Sequence, residues 1–200
     1  LARWRAIPTT IIADIMGHEA IPAPGINLVN PQERHTGFAG QAVVARCEPP
    51  DFGAVVSAMD LVQEDQVLVI AAGGDRTTAM IGDVLCGKLW SKGLAAVVCD
   101  GLIRDIAELR RMRGLPVYAL GCTPRGPLSK TGDEVNVECL FGGVTVRPGD
   151  VIVGDDDGLA VLSPEQALAR IDEMEARIEL EADWRRKLSA GHALSEVLEG

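Results

Sequence analysis

The sequence contains few basic residues for its length, and this scarcity limits the partners it can have. Nineteen Lys and Arg residues stand against twenty-nine Asp and Glu residues, which gives a formal net charge of −10. A field of this sign repels nucleic-acid phosphates and anionic lipid headgroups, so we expect neither nucleic acid nor a membrane as a partner. A small anionic substrate would need a local concentration of arginine, metal charge or helix N-terminal amides.

Closely spaced cysteine pairs and long apolar runs are also missing. The five cysteines are separated by wide, irregular gaps without a Cys-x-x-Cys pair, which is typical of reduced thiols. No apolar stretch approaches the ~20 residues of a membrane-spanning helix, and we expect a cytoplasmic protein. The few lysines fall in predicted helices, a polar loop and the C-terminal region, which disfavours a Schiff-base aldolase.

The sequence does contain enough apolar material for one core. Its 200 residues are 47% hydrophobic, and no compositional break divides them, so we expect a single domain over 1–200. The alternation of helical and strand patterns predicts an α/β fold, with a structured loop over 18–35. The predicted helices are 9–16, 51–61, 82–92 and 105–113, and the predicted strands are 37–47, 67–72, 95–100 and 117–120.

The C-terminal third has a different pattern. Short segments at 135–139, 143–146, 150–154 and 159–162 are separated by Gly, Pro and Asp, which predicts antiparallel hairpins. Ser163 and Gln166 then match a capping box with proline at the first helical position. This motif predicts a long helix to about residue 190, so that 163–200 form a C-terminal helix and tail.

One residue interrupts the apolar face of this long helix. The face comprises Ile171, Met174, Ile178 and Leu188. Glu181 follows Met174 by seven residues and returns to within ~20° of the same direction around the helix. A carboxylate on a packing face requires an explanation.

The apolar strands 67–72 and 95–100, joined by helix 82–92, predict a parallel right-handed crossover. Asp83 begins a helix that descends by ~15 Å, and the next strand ascends by ~16 Å. The chain therefore returns to the level that it left, and Arg104 and Asp105 should lie at the height of Asp83. This level is beyond the carboxyl ends of the strands, where open α/β sheets bind their ligands.

The residue types expected at this edge are chemically compatible. Asp83 and Asp105 can hold a hard cation directly or through its waters. The Arg104 guanidinium can pair with a substrate carboxylate and with the oxyanion that C–C cleavage produces. The amides of Val84 and Leu85 point out of a helix N-terminus and can form an anion cradle.

Two stretches of the sequence resemble a known family. GDVLCGKLWSKGLAAVVCDGLIRD, at 82–105, is similar to the Asp, twenty residues, Arg-Asp motif of the 4-hydroxy-4-methyl-2-oxoglutarate / 4-carboxy-4-hydroxy-2-oxoadipate aldolases within the RraA-like family. GGVTVRPGDVIVGDDDGLAVL, at 142–162, is similar to the same family. The resemblance covers nearly the whole chain. It implies a β/β/α swivelling-domain fold, homotrimers or hexamers, and active sites at subunit boundaries.

The resemblance also implies a role for each residue at the sheet edge. It implies Mg²⁺ or Mn²⁺, with Asp105 as the direct protein ligand and waters in most other positions. Arg104 would bind the pyruvoyl unit and stabilise its enolate. Asp83 would orient a water that carries a proton, and the Val84 and Leu85 amides would hold the substrate.

Two further site assignments follow from the resemblance. Gly82 would form part of the substrate-binding turn. A glutamate on the C-terminal helix of a neighbouring subunit would reach the metal-bound waters, and Glu181 fits this role, with Glu179 and Glu175 as alternatives.

The implied reaction is a class II retro-aldol cleavage. The substrate would be 4-hydroxy-4-methyl-2-oxoglutarate or 4-carboxy-4-hydroxy-2-oxoadipate, and the products pyruvate and a second 2-oxo acid. Oxaloacetate decarboxylation is the expected side activity. The sequence does not distinguish the two substrates, because that selectivity depends on loops such as 22–35.

Two other interpretations compete with catalysis. Asp105 and Glu108 match a capping box, and an acid at position 83 is favoured by the helix dipole without any metal. At the level of function, the alternative is a protein-binding regulator of ribonuclease activity. The family resemblance implies that the regulator lacks acidic residues at the positions of Asp83 and Asp105. The presence of both acids here therefore favours the aldolase branch.

Overall fold

Helices and strands are described for residues 1–31 and 37–198 of the computed structural model. The strands are β1 (Asn27–Leu28), β2 (Phe38–Arg46), β3 (Val67–Ala71), β4 (Ala96–Cys99), β5 (Leu102–Ile103), β6 (Val117–Ala119), β7 (Gly121–Cys122), β8 (Cys139–Phe141), β9 (Val144–Val146), β10 (Val151–Gly154) and β11 (Leu159–Leu162). The helices are α1 (Thr9–Met16), α2 (Gly53–Leu61), α3 (Asp83–Ser91), α4 (Ile106–Leu109), α5 (Pro164–Ser189) and α6 (Leu194–Leu198). Single 3-10 turns lie at Trp4–Ala6 and His18–Ala20.

Seven strands form a mixed sheet in the order β1-β6-β4-β3-β2-β10-β11. The inner strands β2, β3, β4 and β6 are parallel, and β1, β10 and β11 pair in the antiparallel direction. The first half of β2 pairs with β10 and the second half with β3, so β2 joins the antiparallel and parallel parts. The sheet is curled, and the predicted α/β class with a central parallel strand-helix-strand unit is confirmed.

Strand β3 lies at the centre of the core and is buried on both faces. Leu68 and Ile70 pack in the cluster that includes α2 and α3. Val67 and Val69 pack on the opposite face, in the cluster with Phe141 of the β8–β9 hairpin. Burial on both faces explains why this segment is continuously apolar rather than alternating.

A third apolar cluster packs α1 and α5 against β10 and β11. The capping box at the start of α5 is confirmed, since Ser163 Oγ accepts the Gln166 amide at 3.2 Å and Gln166 Oε1 accepts the Ser163 amide at 2.8 Å. Ile171 and Met174 are buried, whereas Leu188 is 40% exposed, so the packing face ends before Leu188.

The helix predicted at 105–113 is only one turn long, Ile106–Leu109. The buried Asn30 side chain donates to the Leu109 carbonyl at 3.2 Å and to the Leu115 carbonyl at 2.8 Å. The Leu109 carbonyl also accepts from the Met112 amide, a 3-10 pattern that ends the α-helix. A partner far along the chain therefore overrides the local helical pattern.

Three other predicted segments differ in detail. At 135–139, Val135 makes an isolated bridge to Ala45, and the strand begins at Cys139. Helix α2 has Phe52 rather than Asp51 at its N-cap, although the Asp51 carboxylate accepts from Gly53. The predicted loop 18–35 includes a 3-10 turn and β1, and its residues 32–35 lie outside the described residues.

Within 1–31 and 37–198, no helix has both the length and the apolar character needed to cross a membrane. All five cysteines are free thiols, as their spacing predicted.

We expect Leu68→Ala to lower the free energy of unfolding by about 2–5 kcal/mol, because it leaves a cavity in a fully buried strand. Leu168→Ala removes the same atoms from a side chain that is 82% exposed. This variant should change the free energy of unfolding by less than about 0.5 kcal/mol. Chemical denaturation of both variants checks this difference. Equal losses would show that β3 is not the centre of the core.

Candidate active site

Two backbone segments beyond the sheet bring the predicted site residues together. Residues 79–81 run parallel to 102–104, with a bridge between Ala79 and Leu102. The Met80 amide donates to the Leu102 carbonyl at 2.8 Å, and the Arg104 amide donates to the Ile81 carbonyl at 3.0 Å. The next residues on the two segments, 82–83 and 105, are therefore adjacent, as the crossover geometry predicted.

The Asp105 side chain points toward the start of α3. Its Oδ2 accepts the Asp83 amide at 3.3 Å and lies 3.5 Å from Nε of Arg104. Asp105 occupies the N-cap position of α4 but makes no side-chain capping bond, so the capping-box interpretation is wrong. Its backbone is left-handed, with φ of 63°, which turns the carboxylate away from its own helix. The Asp105 side chain remains 38% exposed.

The amides of Val84 and Leu85 lie in the first turn of α3, where helices leave N–H groups without intrahelical partners. The Val84 amide donates to Oδ1 of Asp83 at 2.8 Å. The Val84 amide of the predicted anion cradle therefore holds the neighbouring carboxylate, and Asp83 must turn away before this amide can bind another anion.

Two glycines provide the space in which the Arg104 and Asp105 side chains lie. A Cβ on Gly82 would overlap Asp105 Oδ2 and lie 2.9 Å from Cγ of Arg104. A Cβ on Gly126 would overlap Nη1 of Arg104. Gly82 has an extended backbone, so steric space rather than conformational freedom requires a glycine there.

Two neighbouring clefts open on either side of Arg104 and Asp105. The first has a volume of about 270 Å³, and its wall comprises Phe52, Ala79, Met80, Ile81, Gly82, Asp83, Val84, Leu85 and Pro127. The second has a volume of about 320 Å³ and is lined by Ile106, Cys122, Thr123 and Pro124. Sequence reasoning missed the walls from Phe52, 122–124 and Pro127, because no local pattern links them to the Asp-Arg-Asp set.

The thiol buried in α3 is held in its protonated form. Cys86 is fully buried, and burial together with the charges of Asp83 and Asp105 raises its pKa to about 12. The Cys86 thiol is therefore protonated near neutral pH.

Glu181 lies away from this cleft in its own chain. Helix α5 packs against α1 and β11. The Glu181 carboxylate is half-buried and accepts from Arg177 at 3.2 Å and from Arg185 at 3.0 Å. These two ion pairs explain how a carboxylate is tolerated beside the packing face. A role for Glu181 in a neighbouring subunit remains a prediction.

Outside 32–36 and 199–200, no group of three or more His, Cys, Asp or Glu side chains gathers as a metal site. Of the acids in the described part of the chain, only Asp83 and Asp105 line the first cleft. A cation held here would therefore be coordinated in part by water, which is common for Mg²⁺.

Comparison with known proteins identifies the family of this chain. The family model for RraA-like proteins, described as Aldolase/RraA, matches residues 9–161. The chain belongs to the RraA-like family. A curated RraA-like relative from Halalkalibacterium halodurans, named "Putative 4-hydroxy-4-methyl-2-oxoglutarate aldolase", is 36% identical over 167 residues, which are 83% of this chain and 77% of the relative.

Solved structures confirm the RraA-like fold. The RNA-processing inhibitor RraA from Thermus thermophilis is 33% identical, with a TM-score of 0.67 over 78% of this chain and 92% of that chain. A Pseudomonas syringae protein has a TM-score of 0.83 over 98% of this chain and 95% of that chain, and at 23% identity it supports the fold alone.

We expect Gly82→Ala to reduce stability by about 1–3 kcal/mol, because its methyl group displaces Asp105 and Arg104. Gly87→Ala is the matched control on α3, since its Cβ would meet only Met112 at 3.6 Å. The control should stabilise the protein by up to about 1 kcal/mol through helix propensity. Chemical denaturation measures the free energy of unfolding of both variants. A Gly82→Ala protein as stable as the wild type would contradict the described packing.

Proposed function

We propose that this RraA-like chain is a divalent-metal-dependent aldolase that cleaves 4-hydroxy-4-methyl-2-oxoglutarate or 4-carboxy-4-hydroxy-2-oxoadipate. The observation that carries the proposal is the meeting of Asp83, Arg104 and Asp105 at one cleft. The name of the relative from Halalkalibacterium halodurans points to the same class of reaction.

The donor set at the cleft fits Mg²⁺ or Mn²⁺. Asp105 offers a partly exposed carboxylate with no capping bond to its own helix, and we assign it as the direct ligand. Asp83 offers a second carboxylate that can orient a water. Carboxylate and water oxygens are the ligands that these hard cations prefer. The cation, when bound, would supply Lewis-acid polarisation of the 2-oxo and carboxylate oxygens of the substrate.

Arg104 binds the pyruvoyl carboxylate and opposes the negative charge that develops on the 2-oxo oxygen as C3–C4 breaks. The Val84 and Leu85 amides bind the same anionic end of the substrate. When Val84 exchanges its bond to Asp83 for one to the substrate, the Asp83 carboxylate is free to accept a proton through a water.

The C4 hydroxyl loses its proton and becomes the carbonyl of the second 2-oxo acid. The C3–C4 electron pair stays with the pyruvoyl fragment, which gains a proton at C3 to become pyruvate. Oxaloacetate would leave the same fragment after it loses carbon dioxide, so its decarboxylation is the expected side activity.

We expect Asp105→Asn and Arg104→Ala each to reduce kcat/KM by about 100-fold or more, because each removes a charge that stabilises the transition state. Pyruvate release from 4-hydroxy-4-methyl-2-oxoglutarate with Mg²⁺ measures this loss. Asp172→Asn and Arg170→Ala, on the exposed surface of α5, are matched controls that should keep full activity. Activity that persists in a strong chelator would disprove the metal-dependent mechanism.

We further propose that the enzyme is a trimer or hexamer in which Glu181 reaches the site of a neighbouring subunit. Glu181→Gln and Asp105→Asn proteins should then each be nearly inactive, whereas trimers that contain both should recover part of the activity. Recovery occurs because some sites combine an intact Asp105 with an intact Glu181. Glu179→Gln is the control. Failure of mixed trimers to recover would exclude action between subunits.

The alternative function is regulation of a ribonuclease by direct binding. The 33% identical structure of the RNA-processing inhibitor from Thermus thermophilis favours it. Inhibition of a ribonuclease by this protein, undiminished in Asp105→Asn and without pyruvate release by the wild type, would support the alternative over the aldolase.

A further inference from the structure

The geometry points to Asp51 as a positioning residue that fixes the Arg104 guanidinium through the segment 126–132. The inference rests on the proposed function, in which Arg104 binds the substrate. Asp51 lies at the start of α2, outside the Asp-Arg-Asp set, and does not line either cleft.

The Asp51 carboxylate binds this segment with both oxygens. Oδ2 accepts the Thr131 amide at 2.7 Å and the Thr131 hydroxyl at 3.0 Å. Oδ1 accepts the Gly132 amide at 2.9 Å and the Gly53 amide at 2.7 Å. Hydrogen bonds from the Ser129 side chain and these amides lower the pKa of Asp51, so the carboxylate stays ionised as an acceptor.

Backbone contacts hold the same segment against the start of α2. The Phe52 amide donates to the Ser129 carbonyl at 3.0 Å, and the Leu128 amide donates to the Pro50 carbonyl at 2.9 Å. A Cβ on Gly53 would overlap the Gly132 carbonyl oxygen. The two backbones therefore meet without intervening side chains, and Asp51 is the side chain that joins them.

The other end of the segment forms the wall behind Arg104. Gly126 lies so close that a Cβ would overlap Nη1 of Arg104, and Pro127 lines the first cleft with Phe52. The Arg104 side chain is 46% exposed, and its ion pair with Asp105 is 3.5 Å long. The Arg104 side chain therefore lies between Gly82 on one side and the backbone at Gly126 on the other, with only a long ion pair to Asp105.

Asp51→Asn tests the inference. The NH₂ group that replaces one carboxylate oxygen must face an N–H donor. The hydrogen bonds that this oxygen accepts are therefore lost. We expect kcat/KM for 4-hydroxy-4-methyl-2-oxoglutarate to fall by about 10-fold or more, and pyruvate to inhibit more weakly, because small displacements of binding groups are costly.

Asp155→Asn is the matched control. The Asp155 carboxylate anchors a turn in a similar way, with bonds from the Thr9 amide at 2.7 Å, the Thr9 hydroxyl at 2.6 Å and the Asp157 amide at 3.0 Å. It does not line either cleft. We expect this variant to lose thermal stability but to keep wild-type kinetic constants at a temperature where both variants are folded.

Trypsin provides a readout that does not depend on catalysis. Cleavage after Arg125 and Lys130 should be faster in Asp51→Asn than in the wild type and unchanged in Asp155→Asn. Wild-type kinetics in folded Asp51→Asn would overturn the inference while the aldolase stands. If the wild type releases no pyruvate, the aldolase proposal fails. In that case, unchanged trypsin cleavage in Asp51→Asn would also overturn the positioning role of Asp51.

Discussion

Two backbone hydrogen bonds, Met80 to Leu102 and Arg104 to Ile81, join the arms of the crossover beyond the end of the sheet. Each arm begins at a strand that is buried on both faces, so its starting point is fixed by the core. The arms then run side by side until the residues that carry charge are adjacent. The geometry of the candidate site therefore depends on a short parallel pairing, which the packing of β3 and β4 makes possible.

The charge of the first cleft indicates why a cation suits it. Its lining includes one positive side chain, Arg104, and two negative ones, Asp83 and Asp105, so the local sum of charges is −1. The whole chain adds repulsion, with a net charge of −10. A divalent cation would change the local sum to +1 and make the cleft attractive to an anionic acid. This balance supports the metal proposal independently of family resemblance.

The parts that the sequence predicted correctly depend on local patterns or on regular geometry. Strands β3 and β4 follow from apolar runs, and the start of α5 follows from a capping box. The parts it did not predict depend on partners distant in the chain. Asn30 shortens α4 through the Leu109 carbonyl, and Asp51 attaches a loop some 80 positions away. Hydrophobic periodicity carries no information about such polar contacts.

The left-handed backbone at Asp105 has a consequence for how members of such a family can diverge. Glycine and asparagine adopt this conformation readily, whereas most other residues are strained in it. A single change at this position can therefore remove the carboxylate and leave the chain trace intact. A protein altered in this way would keep its outer surface while losing the carboxylate proposed to hold a cation, so one scaffold can exist with or without that ligand.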